Sequence, residues 1–210
     1  MRTEYEIASA IKNYVTAQKA VTNSDIELDQ IRDEMNTLRL RMIMELDQQG
    51  LFRKPFLSYT QFHKFSTKRD LDRKVIYVDI PRIFSTRDNK PCIAYVGGNN
   101  LLSPYRIITG GQNAWIDKGP TYLRNWKTAH YTDGRLTLRL DGPEEITIGA
   151  VWMRPIELAP YGYKWKEDYY PVPGDVADLM IGKISESYNR QMFRIPLQPN
   201  TQAENVPAAR

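Results

Sequence analysis

Two histidines, His63 and His130, are the only imidazoles in this chain. Together with Cys92, they are the side chains best suited to bind a metal or move a proton near neutral pH. They stand far apart in sequence. A metal there would need carboxylates or Cys92 as co-ligands, and no ligand pair has the short spacing of a structural metal site. Cys92 sits in an apolar run, Pro91 to Val96, and reads as a buried, inert thiol. Glu144-Glu145 and Glu167-Asp168 are adjacent carboxylates. Neighbours in extended backbone point to opposite faces, so neither pair makes a good acid and base. No Gly-x-Ser-x-Gly elbow and no Ser/His/Asp set occurs. Two glycine pairs, Gly97-Gly98 and Gly110-Gly111, could in principle cradle a phosphate. A phosphate loop needs lysine and a hydroxyl before a helix, whereas Leu101-Leu102-Ser103-Pro104 and Ala114-Trp115-Ile116 follow here. Both pairs read as turns that need positive φ. The expectation is therefore a non-enzyme with no catalytic, cofactor-binding or metal residue to name.

Binding chemistry is easier to find. Phe52, Phe56, Tyr59, Phe62 and Phe65 are interleaved with Arg53, Lys54, Lys64, Lys68 and Arg69, and Tyr161, Tyr163, Trp165, Tyr169 and Tyr170 form a second aromatic stretch. Aromatic faces beside cations can hold nucleic acid by stacking and phosphate contact. The plainer reading is that such residues tack a long loop onto the fold. Charge is uneven: residues 1–50 carry six basic and nine acidic side chains, residues 53–90 ten basic and four acidic, and the whole chain is +4. Such a dipole suits docking on an oppositely charged surface. The alternative is a nucleic-acid patch, but Asp70, Asp72 and Asp79 break up the cations.

The elements that position these residues follow from periodicity. Residues 3–21 read as a helix opened by a Thr3/Glu6 capping box, with Ile7, Ile11, Tyr14, Gln18 and Val21 on one face. Ser24 and Glu27 form a second capping box for a helix running to about Gln49, with Gly50 as terminator. Leu28, Ile31, Met35, Leu38, Met42 and Leu46 are its narrow stripe, as in a coiled-coil seam. The two helices should form a hairpin. Its plain role is a layer packed on a sheet; its sharper role is a partner-binding surface, with Leu38, Met42 and Leu46 as contact candidates. Residues 51–73 read as a loop-rich basic connector. From Lys74 the period becomes two, with strands over 75–80, 91–96, 105–108, 122–131, 135–140 and 146–152, and Asp133-Gly134 as the clearest hairpin turn. The last strands alternate as if buried on one face only. Pro173 starts a final helix, lined by Val176, Met180, Ile184 and Tyr188.

The predicted fold class is α+β. Residues 1–50 form the helical hairpin and 51–169 an antiparallel sheet or sandwich with the basic connector. Residues 170–193 form a helix packed on the hairpin, and 194–210 an extended arm. Hairpin and strands are expected to share one core. The arm contains Pro196, Pro199 and Pro207 and no glycine, so it has little capacity to pack on itself. Extended, its 17 residues would reach about 55 Å, and Arg194, Ile195, Pro196, Leu197 and Pro199 are its contact candidates. No run of eighteen apolar residues predicts a membrane span, the N-terminus lacks a signal-peptide core, and a single cysteine fits a reducing cytoplasm.

The opening helix Glu4-Tyr5-Glu6-Ile7-Ala8-Ser9-Ala10-Ile11, the break at Val21-Thr22-Asn23-Ser24, the long helix from Ile26 to Leu46, and Tyr170-Pro171-Val172-Pro173-Gly174-Asp175-Val176-Ala177-Asp178-Leu179-Met180 before an Arg-Ile-Pro tail form a recognisable layout. It resembles the virion structural proteins of tailed phages, in particular the head–tail connector or ring proteins of crAss-like podoviruses of Bacteroidetes. The resemblance implies a closed ring of roughly twelve copies, stacked under a portal protein and touching other tail or ring proteins. It also implies passing contact with DNA, no membrane partner, no cofactor and no transferable active residue. The alternative expectation is a nucleic-acid- or glycan-binding module that uses the two aromatic segments.

Overall fold

The computed structural model describes residues 2–17, 27–51, 57–71, 75–98, 104–108, 112, 116, 126–139 and 142–193. The fold is α+β, with two helices leading, strands in the middle and a helix following.

Helix α1 (Glu4–Ala17) opens on the expected capping box. Thr3 Oγ1 accepts from the Glu6 amide at 3.1 Å, and Glu6 Oε2 accepts from the Thr3 amide at 2.8 Å, so two orphan donors are satisfied reciprocally. Its buried face is Ile7, Ala8, Ile11 and Val15. Tyr14 is half exposed instead, because the inward line steps by four from Ile11 to Val15. Gln18 and Val21 lie outside the described residues, as does the link between the first two helices.

Helix α2 (Leu28–Gln48) begins later than the Ser24/Glu27 box requires. Glu27 takes the cap position itself and makes no side-chain capping bond; Ser24 lies outside the described residues. The end is as expected. Gly50 has φ 68°, its amide donates to the Asp47 carbonyl, and the Leu51 amide donates to the Leu46 carbonyl, which closes the last turn as a Schellman motif.

The fully buried line of α2 is Ile31, Met35, Arg39 and Ile43. Leu28, Leu38, Met42 and Leu46 are only partly buried beside it. Ile31 and Met35 of the expected stripe are thus fully buried, its other four residues sit at the edge of the buried face, and an arginine occupies the centre of that face. Helix α3 (Gly174–Phe193) starts one residue after Pro173, whose carbonyl accepts from the Ala177 amide. It buries Ala177, Met180, Ile184 and Tyr188 against α1 and α2.

Eight strands form two sheets among the described residues: β1 (Gln61–Ser66), β2 (Lys68–Asp70), β3 (Val75–Asp79), β4 (Ile93–Gly97), β5 (Arg106–Ile108), β6 (Thr128–Thr132), β7 (Arg135–Arg139) and β8 (Glu145–Ala150). The smaller sheet has the order β1-β8-β4 and the larger β2-β3-β7-β6-β5. Part of the expected loop-rich connector is thus strand. Its period was hidden because Phe62 and Phe65, three apart, fall on opposite faces: Phe65 is buried and Phe62 exposed. Pairing is antiparallel except between β5 and β6, which run parallel. The long segment between them permits that crossover. Strand β8, expected to be half-buried, lies between two neighbours, and every residue from Ile146 to Ala150 is buried. Gly97 ends β4 opposite Thr147, so it serves as a strand residue and not a turn. Gly110 and Gly111 lie outside the described residues. The Asp133-Gly134 turn joins β6 to β7 with φ of 46° and 83°, the left-handed pair that a tight hairpin requires.

The buried apolar residues form two clusters, not the single expected core. Neighbouring residues divide between them. Phe84, Cys92 and Val151 belong to the helical cluster, and Ile83, Ile93 and Trp152 to the one between the strands.

Candidate functional site

Three sites combine chemistry with shape. The first joins β1 to the turn-rich segment after β8. A 3-10 turn over Pro155–Tyr161 ends on Gly162 at φ 93°, which turns the chain back so that Tyr163, Asp168 and Tyr169 meet Gln61, Phe62 and His63 in a cleft of about 440 Å³. The described parts of the two aromatic stretches singled out from sequence therefore meet in space, while Phe52 and Phe56 lie outside the described residues. Phe62 and Tyr169 are exposed. Phe62 also lies 6.4 Å from the Tyr95 ring, and the Gln61 amide nitrogen donates to the Tyr169 carbonyl at 3.1 Å.

His63, expected on a connector, lies on β1 between the rings of Trp152 and Tyr163, at centroid distances of 6.5 and 6.1 Å. Burial lowers its pKa, against smaller opposing effects from the Tyr161 backbone and the Asp168 charge. It is a packed, neutral imidazole at neutral pH. His130 lies on β6 with Nδ1 3.3 Å from the Thr132 hydroxyl. Among the described residues no group of three metal-ligating side chains lies close enough to hold a cation.

The second site is a buried polar network that sequence patterning did not single out. Glu4 accepts from the Tyr163 hydroxyl at 2.8 Å and from Arg32 Nε at 3.1 Å. Arg32 also stacks 4.3 Å from the Trp165 ring centre and donates to Asp29 at 2.8 Å. Burial and the Glu4 charge raise the Tyr163 hydroxyl well above its ordinary value, keeping it a neutral donor. Nearby, fully buried Arg39 donates to the carbonyls of Trp152 at 2.9 Å and Pro171 at 3.3 Å. Burial lowers its pKa. This network ties α1 and α2 to the ends of the strand region. Its one legible signal was Arg39 itself, a polar residue four places from both Met35 and Ile43 on an otherwise apolar line.

The third site is an open groove of about 380 Å³ between α2 and α3. Leu38, Met42 and Ile184 supply its apolar part, and Glu34, Glu45, Arg41 and Lys183 its charged rim. Two of the three helical contact candidates, Leu38 and Met42, thus line one groove. Leu46 is half-buried against the helical core. Arg194, Ile195, Pro196, Leu197 and Pro199 lie outside the described residues.

Arg53, Lys54, Arg73 and Lys74 of the basic stretch lie outside the described residues, and within its described part several cations are paired. Lys68 and Arg135 share Asp79 at 2.8 and 3.0 Å, which holds that carboxyl below its usual range, and Lys64 faces Glu145 at 3.8 Å. No helix among the described residues is long and apolar enough to cross a membrane. No protein-family profile matches the chain, and no curated protein sequence matches it significantly.

Proposed function

We propose that the chain is a structural subunit of a tailed-phage particle. It joins copies of itself into a ring at the head–tail junction and contacts the portal and neighbouring tail proteins through its helical layer and residues 194–210. What supports the reading is the groove: Leu38 and Met42 are left incompletely covered by the chain's own helices, and α3, which forms the other wall, leads directly into a proline-bearing segment with its own apolar residues. A heterologous contact of this kind, one patch on a different patch, is what a ring requires. Light scattering after size exclusion tests it, on the full chain and on residues 1–193, each with and without portal protein. The full chain should form higher oligomers or bind portal, and the shortened chain should not. Equal assembly by the shortened chain would remove the arm from the account, and a full chain that stays monomeric under both conditions would remove the ring.

A second reading has one observation in its favour, the meeting of the two aromatic segments in the β1 cleft. Phe62 and Tyr169 could stack on a sugar or a base. Retention on a glycan resin, or salt-dependent retention on DNA, would support that reading, and loss of retention in Tyr169→Ala would tie it to this cleft.

A further inference from the structure

Building on the ring reading, we infer that the groove between α2 and α3 receives residues Arg194 to Pro199 of a second copy of this chain. The groove has the complementary chemistry. Its floor holds Leu38, Met42 and Ile184. Residues Ile195 and Leu197 are two apart, so an extended backbone presents both on one face. Pro196 and Pro199 favour that backbone, since proline fixes φ and biases the preceding residue toward extended conformations. Arg194 precedes the apolar pair, and Glu34 and Glu45 stand on the rim beside Arg41 and Lys183. No cation among the described residues lies within ion-pair distance of either acid, and burial holds the Glu34 carboxyl above its ordinary range. An incoming guanidinium can therefore pair with either acid without displacing an existing ion pair of Arg41 or Lys183.

Geometry selects a neighbour's segment over the chain's own. The groove meets α3 at Lys183 to Ser187, and the helix continues to Phe193. Six further residues carry the chain about 9 Å past the groove along the helix axis, travelling away from it. Returning would need a sharp reversal within Arg194-Ile195-Pro196. That stretch has no glycine, and the residue before proline is disfavoured in the helical region that tight turns use. Outward travel takes the segment to another copy.

Cross-linking of variants with one added cysteine tests this in the full chain, where the natural thiol Cys92 is buried. Met42→Cys and Leu197→Cys chains of different tagged mass are mixed and oxidised under native conditions. A disulfide-linked pair containing one of each is expected, at least tenfold above the pair formed by Leu197→Cys with Leu71→Cys, whose thiol is exposed on the strand side. Glu34→Lys with Glu45→Lys in the Met42→Cys chain should reduce the link severalfold. Oligomers by light scattering without the Met42–Leu197 link would overturn the groove assignment and leave the ring standing. In a further variant that carries both Met42→Cys and Leu197→Cys, a link formed only within one chain would overturn the exchange between copies. A chain that remains monomeric with and without portal would end both.

Discussion

Replacing Glu4 with glutamine should destabilise the protein far more than its place in the first helical turn suggests. The Glu4 side chain is 5 % exposed and its partner Arg32 is 12 % exposed. Removing one member of a well-buried ion pair costs about 3–5 kcal/mol, because the other charge is left without compensation. Here Arg32 keeps Asp29, which is 85 % exposed and so a weaker, water-screened partner, together with the Trp165 face. Glutamine can still accept one bond. The expected loss is therefore roughly 2–3 kcal/mol, or a fall in thermal midpoint of about 5–10 °C for a chain of this size. Urea unfolding followed by circular dichroism measures it. Tyr163→Phe removes the second bond to the same carboxylate and should cost about 1.5 kcal/mol. The double variant should lose less than the sum of the two, since both changes act on one network. If Glu4→Gln unfolds within about 0.5 kcal/mol of the parent, the network is not holding the helices to the strand region.

Gly134→Ala should lower stability by about 1–2 kcal/mol, read from the urea midpoint, because Gly134 has φ 83° and an added Cβ would lie 3.4 Å from the Ile80 carbonyl. Ile43→Ala should cost about 2–4 kcal/mol, whereas Met42→Ala, one residue away on the groove, should leave monomer stability within about 1 kcal/mol while weakening oligomers in light scattering. The His63 pKa is lowered by burial, so the unfolded chain takes up its proton first as pH falls through the ordinary value of about 6.5. Its contribution to stability is full above that value and declines below it until the lower folded pKa is reached. Urea midpoints at about pH 7.5 and about pH 5 should differ less in His63→Gln than in the parent.

Local signals carried much of the fold. The Thr3/Glu6 box, the Gly50 terminator and the Asp133-Gly134 hairpin each rest on hydrogen bonds or dihedrals that a few adjacent residues determine, and each has the expected geometry. What sequence left illegible depends on distant partners. Arg39 can lie at the centre of the buried face of α2 because carbonyls from residues 152 and 171 come to meet it, and no neighbour in sequence announces that. β1 is a strand because β8 pairs with it residue by residue from Gln61 to Ser66. The parallel direction of the β5–β6 pairing is likewise not announced by the periodicity of either strand. In the candidate site, the aromatic types were legible one by one, but their meeting required the turn at Gly162. Leu38 and Met42 had an apolar signal that could not tell a covered seam from an open groove.

The division of Ile83, Phe84, Cys92, Ile93, Val151 and Trp152 between two clusters makes a party wall of the three hydrogen-bonded segments at the edge of the small sheet, residues 83–84, 92–93 and 151–152. Stripping the helices from one side would bare Phe84, Cys92 and Val151 to water, on the same backbone that holds Ile83, Ile93 and Trp152 in place on the other. Neither half can melt alone without ruining its neighbour's footing. A calorimetric trace should accordingly contain one peak, and amide protons of β4, β8 and α1 should exchange together, at the rate of whole-molecule opening.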